Sequence, residues 1–123
     1  MKKHFQAYYQ LLTGKGNLDQ KKKDHLEVIS LFYDDGIIQI ENTAEPIHGK
    51  EKLKAMEIKN LEGVNSVKTE IKNVIMDEKE GLVWGEMIIK FDLKKSGKKR
   101  LEEAFFQKWK DGKICYQRFF MGA

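Results

Sequence analysis

The chain has 123 residues, of which 41% are hydrophobic and 34% charged, and it carries a formal net charge of +4 and one cysteine. This length suits a single domain over residues 1–123, and the composition excludes a disordered chain and a disulfide-stapled secreted scaffold. Because no apolar run reaches signal-peptide length or the roughly 20 residues that cross a bilayer, we expect a cytoplasmic protein without a membrane partner.

Two amphipathic helices are predicted at the start of the chain. The first has apolar residues at positions i, i+3, i+4 and i+7, which mark one helix face, and it ends at Gly14. These residues are Phe5, Tyr8, Tyr9 and Leu12. The second helix follows a polar segment, residues 15–24, and stops before Asp34-Asp35-Gly36. Its apolar positions are Leu26, Ile29, Phe32 and Tyr33.

A short strand, a loop and a third helix are predicted next. Residues 37–41 are rich in isoleucine and favour a strand, whereas residues 42–49 contain the only proline and favour a loop. Residues 50–62 place a few apolar side chains among many charged ones, which is typical of an exposed helix. A helix therefore separates the first strand from the strands that follow.

The rest of the chain predicts strands joined by turns. The strand-like runs are residues 67–75, 82–93, 101–109 and 113–121. Asp111-Gly112 between the last two runs is a strong hairpin signal. The predicted order is ααβαββββ, with the helices segregated from an antiparallel meander. This order indicates an α+β domain.

The densest cationic segment is Lys94-Lys-Ser-Gly-Lys-Lys-Arg100. Such a cluster could contact phosphates. Ser96-Gly97 at its centre, between two strand-like runs, instead favours a solvated hairpin turn. No aromatic residue interleaves the cations, as stacking on single-stranded nucleic acid would require. We do not expect a nucleic-acid partner.

Four segments occur in an informative order. They are an N-terminal helix with Tyr9, Phe32-Tyr-Asp-Asp35, Pro46-Ile-His-Gly-Lys-Glu51, and Trp109-Lys-Asp-Gly-Lys-Ile114 leading into Arg118-Phe-Phe120. Together they resemble the nuclear transport factor 2-like superfamily, and within it the SnoaL-like and ketosteroid isomerase-like branch. The resemblance covers nearly the whole chain. It implies one SnoaL-like domain with a curved antiparallel sheet wrapped around the helices, a cone-shaped, cystatin-like roll that encloses a pocket and often forms a homodimer.

The resemblance does not extend to steroid isomerisation. Ketosteroid isomerases use a carboxylate base on the first strand and an oxyanion hole made of a tyrosine and a protonated aspartic acid. Counted without gaps from the shared segments, the base position falls on Ile40 and the acid position on Phe105. Tyr9 alone matches. Since isoleucine cannot accept a proton and phenylalanine cannot donate one to an oxyanion, we do not expect this mechanism.

The resemblance implies that Ile40 and Phe105 face the pocket, and strand alternation then predicts its lining. The predicted pocket residues are Tyr9, Ile38, Ile40, Asn42, Gly85, Met87, Phe105, Gln107, Gln117 and Phe119. Gly85 would leave room because it has no side chain. The lining is largely apolar and suits a small hydrophobic or amphipathic ligand.

The polar candidates each have two interpretations. Tyr9 is a catalytic donor or a core tyrosine whose hydroxyl finds a partner. Glu103, if buried, would have a raised pKa and could act as a general acid or base, or it is a strand-end glutamate paired with a lysine. Gln107 and Gln117 contact a ligand or bond one another. His48 supports its loop or moves protons.

The opposite face of the sheet carries a possible interface. Trp84, Glu86 and Ile88 share that face, and Trp84 is either a partly exposed tryptophan or part of a homodimer surface, which we favour. We expect no metal site, because Cys115 and the histidines have no companions at ligand spacing. The chain also lacks a glycine-rich phosphate loop, and we expect no cofactor.

Three functional hypotheses remain open. The first is a protein that binds a small hydrophobic or amphipathic molecule in a conical pocket. The second is an enzyme of the cyclase, isomerase or dehydratase type that acts through Glu103 or Tyr9. The third is a protein-interaction module that uses the open end of the cone or the Trp84 face. The fold alone cannot choose among them.

Overall fold

The computed structural model describes residues 1–121 of the chain, and within them the elements follow the order ααββαββββ. The helices are α1 (Lys2–Thr13), α2 (Leu18–Phe32) and α3 (Lys50–Glu62). The strands are β1 (Tyr33–Glu41), β2 (Ile47–His48), β3 (Val64–Asp77), β4 (Leu82–Leu93), β5 (Gly97–Lys110) and β6 (Lys113–Met121). The predicted α+β class is confirmed, with one additional short strand.

The second helix begins earlier than the sequence predicted. Asn17 caps it, because its side-chain oxygen accepts a hydrogen bond from the backbone N–H of Gln20 at 2.9 Å. The polar segment 15–24 is therefore mostly helical. The third helix has the predicted bounds, Lys50–Glu62. No helix in residues 1–121 is long and apolar enough to span a bilayer.

The strands form one curved, mixed sheet in the order β2-β1-β6-β5-β4-β3. The meander from β3 to β6 is antiparallel, as predicted. The predicted curved antiparallel sheet is confirmed apart from one pair, because β1 pairs with β6 in parallel. A parallel pair needs a long connection, and α3 with the preceding strands of the meander supplies it. The pairing with β6 adds β1 to the sheet that forms the wall of the cone.

The first strand starts at Tyr33, so residues 34–36, which predicted a stop, lie inside it. The pairing of β1 with β6 shifts register between Tyr33 and Ile38, and this irregularity accommodates Asp34-Asp35-Gly36. The predicted loop over residues 42–49 contains the edge strand β2, which pairs with Ile38 and Gln39. His48 lies in that strand and is exposed.

The third strand bends at a β-bulge. Strict alternation would place Ile71, Asn73 and Ile75 on one face, but the register with β4 shifts between Lys72 and Ile75. Asn73 has a positive φ of 52°, and its amide donates a hydrogen bond to Glu86 at 2.6 Å. Ile71 is therefore buried whereas Ile75 is 69% exposed. The bulge increases the curvature that wraps the sheet around the helices.

The predicted basic turn is shorter than expected. β5 already begins at Gly97, whose φ of 81° closes the hairpin, and Lys98 pairs with Asp92 on β4. The cations that follow Gly97 are thus strand residues. Asn42 also has a positive φ, and its side-chain oxygen accepts a hydrogen bond from the backbone N–H of Met121 at 2.7 Å.

The hydrophobic core fills the narrow end of the cone between the helices and the concave face of the sheet. Its buried members are Phe5, Tyr8, Val28, Phe32, Ile37, Leu53, Ile71, Val83, Met87, Phe105, Trp109 and Ile114. The rings of Phe5, Tyr8 and Phe32 each meet Trp109 at centroid distances between 5.7 and 6.2 Å. This aromatic cluster fixes α1 and α2 against the sheet and leaves the wide end open.

Candidate functional site

A cavity of about 470 Å³ opens between the helices and the concave face of the sheet. Its apolar lining consists of Leu12, Val28, Ile29, Leu61, Val64, Val67, Met87, Ile89, Phe91, Leu93, Leu101, Phe119 and Met121. Its polar lining consists of Tyr8, His25, Tyr33, Gln39, Glu41, Glu57, Asn60, Thr69 and Glu103. A mostly apolar cavity with a few convergent polar groups is typical of a small-molecule site.

Glu103 is the deepest acid of the cavity. It lies on the concave face of β5 and is only 9% exposed. Burial, and then repulsion from the carboxylate of Glu41, raise the pKa of Glu103 from 4.5 to about 7. Within residues 1–121 its side chain has neither a hydrogen-bond partner nor an ion-pair partner. The predicted alternative of a strand-end glutamate paired with a lysine does not fit this environment.

Two further acids line the same cavity. Glu41 ends β1 at the exposed rim, and Glu57 projects from α3 into the wall. Burial, and then repulsion from Glu41, raise the pKa of Glu57. His25 on α2 is the one histidine in the lining, and its pKa is lowered by burial first and by Lys21 second. The ionisable groups of the cavity are therefore carboxyls, phenols and a neutral imidazole.

A network of buried polar side chains lies beside the cavity. The amide of Gln107 donates to the hydroxyl of Tyr8 at 3.1 Å and to the side-chain oxygen of Gln117 at 3.3 Å. The indole N–H of Trp109 donates to the Gln107 oxygen at 3.0 Å. The amide of Gln117 donates to the hydroxyl of Tyr33 at 2.7 Å and to Gln39 at 2.6 Å. Both glutamines thus have all their side-chain groups bonded.

The network determines what the two tyrosines can do. Tyr8 and Tyr33 each accept a hydrogen bond from a glutamine amide, so the remaining hydroxyl proton is available to donate. Burial raises the pKa of both hydroxyls well above the ordinary value, which keeps them neutral. Both residues line the cavity. They provide neutral donors beside the acid Glu103.

The structure corrects several predicted pocket residues on the first strand and the first helix. Gln39 and Glu41 line the cavity, whereas Ile38 and Ile40 lie on the opposite face of β1 and are half-buried. The strand phase was misassigned, because it depended on the gap-free count that placed Ile40 at the base position, whereas β1 presents Gln39 and Glu41 to the cavity. Tyr9 is 37% exposed and is absent from the cavity, since α1 turns the adjacent Tyr8 inward instead.

The other predicted lining residues fall into two groups. Met87 and Phe119 line the cavity. Phe105 and Gly85 belong to the packed core, because the Phe105 ring occupies the space that Gly85 leaves. Gln107 and Gln117 bond one another and are fully buried in the network. Asn42 is exposed beyond the end of β1, where it binds β6.

Glu57 and Glu41 were not predicted as cavity residues, although the sequence contains a pattern that indicates each of them. Glu57 lies midway between the buried residues Leu53 and Leu61, so the three share one face of α3 at intervals of four residues. A glutamate on an apolar helix stripe indicates a site rather than a solvated surface. Glu41 follows buried Ile37 and Gln39 at intervals of two, which is the alternation of one strand face.

The outer face of the sheet carries exposed aromatic residues. Trp84 is 49% exposed, and its ring lies 4.4 Å from that of Phe106. Phe106 in turn meets Tyr116 at 6.0 Å. Of the other predicted interface residues, Glu86 is exposed and accepts the bond from Asn73, whereas Ile88 is already buried in the single chain. Among the residues that the structure describes, no cluster of His, Cys, Asp and Glu is arranged to hold a metal ion.

Comparison with known proteins identifies the fold. No protein-family model and no protein of curated function matches the sequence. A nuclear transport factor 2-like protein of unknown function from Exiguobacterium sp. 255-15 superposes with a TM-score of 0.74 at 16% identity, over 97% of this chain and 98% of that one. A protein assigned as a SnoaL-like polyketide cyclase from Jannaschia sp. CCS1 gives 0.72 at 13% identity, over 98% and 85%.

A third similar structure is a phenazine biosynthesis-related protein from Pseudomonas aeruginosa, with a TM-score of 0.74 at 22% identity, over 98% of this chain and 80% of that one. The chain therefore has the nuclear transport factor 2-like fold, and the resemblance noted in the sequence is confirmed at that level. Proteins of this fold differ in activity, so the function has to be argued from the cavity.

Proposed function

We propose that the protein binds a small amphipathic molecule in the cavity between the helices and the concave face of the sheet. The observation that carries this proposal is the cavity itself, about 470 Å³ in volume, with an apolar wall and a small set of polar groups. Cavities of this size and character bury most of the surface of a small ligand. The apolar part of the ligand would contact Met87, Phe91 and Phe119.

The polar groups support a ligand with at least one hydrogen-bonding group. The free hydroxyl protons of Tyr8 and Tyr33 can donate to a ligand oxygen, since the glutamine amides occupy their acceptor sites. Gln107 and Gln117 would act as positioning residues, because they hold the tyrosines and have no group left for a ligand. The bound molecule would thus be amphipathic rather than purely hydrophobic.

Blocking the cavity tests this proposal. Leu101 lines the cavity, and Leu101→Trp would fill part of it, whereas Met56 lies exposed on α3 outside it. A fragment library of small aromatic compounds would be screened by ligand-observed NMR against the wild type, Leu101→Trp and the control Met56→Trp. We expect compounds that bind the wild type and Met56→Trp but lose binding to Leu101→Trp. Equal binding to all three proteins would contradict the proposal.

A second candidate function is acid–base catalysis, and the specific observation in its favour is Glu103. A carboxyl whose pKa is about 7 can both take and return a proton near neutral pH. Glu103 would remove a proton from the substrate while the Tyr8 hydroxyl donates to a substrate oxygen. This assignment replaces Tyr9, which does not reach the cavity. Reactions of the cyclase, isomerase or dehydratase type all include such a proton transfer.

Deuterium exchange tests this candidate without a known substrate. A cyclic ketone that binds in the screen would be incubated in D₂O, and exchange at the carbon next to its carbonyl would be followed by NMR. We expect wild-type protein to accelerate exchange and Glu103→Gln to lose the acceleration while still binding the ketone. The control is Glu102→Gln, one residue away on the exposed face of β5. Acceleration that survives Glu103→Gln would exclude Glu103 as the base.

We also propose that a second copy of the chain covers the Trp84 face of the sheet. An exposed tryptophan packed against Phe106, with Phe120 41% exposed on β6, is typical of an interface rather than a free surface. The alternative is that an unrelated protein binds this face. The measurement of oligomeric state described in the Discussion distinguishes the two, because only a homodimer changes mass when the face is altered.

A further inference from the structure

The charge of the cavity is one-sided. Glu41 on β1, Glu57 on α3 and Glu103 on β5 come from three separate elements and line one space. The chain as a whole is basic, with 23 Lys and Arg against 19 Asp and Glu, yet neither lysine nor arginine lines this cavity within residues 1–121. An acidic cavity in a basic protein attracts cations from solution and repels anions.

Glu103 gives the acidic lining a specific point of attachment. Its side chain is buried to nine-tenths, points into the cavity and has no partner among the residues that the structure describes. No buried side-chain oxygen in residues 1–121 lacks a hydrogen-bond partner, so the unbonded oxygens of Glu103 are accessible from the cavity. A carboxylate that has lost most of its contact with water gains from a cation on its open side, and the protein supplies no cation of its own there.

We infer that the cavity selects an amphipathic molecule with a protonated amine, whose ammonium group binds Glu103 while its apolar part contacts Met87, Phe91 and Phe119. This inference rests on the proposed small-molecule function and specifies the class of ligand. The ammonium donates hydrogen bonds to the Glu103 carboxylate and is also attracted by Glu41 and Glu57. A ligand of the same shape with a carboxylate meets the repulsion of all three acids.

The different depths of the three acids favour one orientation of the bound amine. Glu41 is exposed at the rim, Glu57 is half-buried in the wall and Glu103 is nearly buried. A cation that approaches from solution is therefore attracted first at the rim and held most strongly at depth, where screening by water and salt is weakest. The ammonium group would therefore enter the cavity ahead of the apolar part of the ligand.

Binding of a cation is linked to protons. Glu103 holds a proton on about half of the free molecules near pH 7, and an ammonium ligand stabilises the charged carboxylate and displaces that proton. The affinity for an amine should therefore rise as pH increases from 6 to 8. The titratable groups that face this site are Tyr8 on α1, His25 on α2, Tyr33 and Glu41 on β1, and Glu57 on α3. The phenols stay neutral across this range, and burial favours the neutral form of the imidazole.

Three probes of one shape test the inference. Calorimetry would measure binding of 1-naphthylmethylamine, 1-naphthylmethanol and 1-naphthoate at pH 8. We expect the amine to bind about tenfold more tightly than the alcohol, as a buried charge-assisted hydrogen bond allows, and the acid to bind more weakly than both. Titrations at pH 7 in two buffers with different ionisation enthalpies should show proton release on amine binding, which requires no variant.

Matched variants assign the preference to Glu103. We expect Glu103→Gln to reduce the preference for the amine over the alcohol to about threefold or less, because Glu41 and Glu57 lie further from the ammonium. Glu102→Gln, on the exposed face of the same strand, should leave the preference unchanged. Circular dichroism would confirm that both variants are folded.

The possible failures are distinct. If the alcohol binds as tightly as the amine, the inference is overturned while the proposed binding function stands. If the acid binds best, the inference is overturned in the same way. If none of the three probes binds, the proposed function itself is contradicted, and the inference fails with it. If the preference for the amine persists unchanged in Glu103→Gln, the ammonium group does not bind Glu103, and the inference is overturned.

Discussion

The ring of Phe105 lies across Gly85, its direct partner on the neighbouring strand, so closely that a Cβ atom added to Gly85 would stand 2.6 Å from the ring edge. Phe105 has no exposed surface. A glycine in a central strand loses side-chain packing, and here the aromatic ring covers the gap. Phe105 therefore belongs to the packed core and not to the cavity lining.

Gly85→Ala should destabilise the protein by about 1–3 kcal/mol, because the added methyl group overpacks the core against the Phe105 ring. Urea denaturation would measure the loss. Gly36→Ala is the matched control, since its added Cβ would meet only a side-chain oxygen of Asp34 at an ordinary 3.6 Å. Combining Gly85→Ala with Phe105→Leu should cost less than the sum of the two changes. Strict additivity would show that the ring and the glycine do not interact.

Gln117→Leu should destabilise the fold by roughly 2–4 kcal/mol, because it removes donors to Tyr33 and Gln39 and the acceptor for Gln107 in a buried region. Thermal unfolding would measure the effect. Gln10→Ala, on the exposed surface of α1, should change stability little. If both variants unfold at the wild-type temperature, the network contributes no net stability.

Glu103→Gln should stabilise the protein at pH 8 and have little effect at pH 4. Because the folded state raises the pKa of Glu103 from 4.5 to about 7, it binds this proton more tightly than the unfolded chain does. Stability from this group is therefore lost as pH rises between those values. With a discount for solvent screening, we expect a gain of about 1–2 kcal/mol at pH 8.

Urea titrations of the wild type, Glu103→Gln and Glu102→Gln at both pH values would measure this difference. Glu102 points to the exposed face and pairs with Arg100, so its replacement should have a small effect that does not follow the same pH range. A Glu103→Gln variant that is equally destabilised at pH 4 and pH 8 would show that the carboxyl is not strained by burial.

Trp84→Glu should convert a homodimer into a monomer, because a charge on each side of a symmetric contact is buried against its own copy. Light scattering coupled to size exclusion would give the mass. Ile75→Glu is a useful control, since Ile75 is also exposed on the sheet but lies beyond the bulge of β3. If the wild-type protein is a monomer at high concentration, the proposed homodimer through the Trp84 face is contradicted.

The fold could be predicted from the sequence wherever a pattern was local. The bounds of α3, β4 and β6 agree with the predicted ones, because helix spacing and strand alternation are read within a few residues. Glu103 lies on the inner face for the same reason, since it alternates with Phe105 and Gln107. The outward position of Trp84 was also predicted correctly from alternation along β4.

The site could be predicted less well, because its residues depend on packing between distant segments. Tyr8 and Tyr9 both lie on the apolar stripe of α1, and only the angle at which α1 meets the sheet decides which hydroxyl reaches Gln107. The register shift inside β1 likewise decides that Gln39 and Glu41 face inward. A slip of one residue exchanges the two faces of a strand.

By itself, the sequence determined the α+β order, the family resemblance and the largely apolar character of the inner face. The count that placed the base position at Ile40 did not hold, because Ile40 lies outside the cavity whereas Glu41 lines it. Only the tertiary structure decided that Glu41 and Glu57 join Glu103 in one cavity. The reason is physical: hydrophobic periodicity reports which side of an element is buried, whereas the meeting of three acids depends on the curvature of the sheet and on the parallel pairing of β1 with β6.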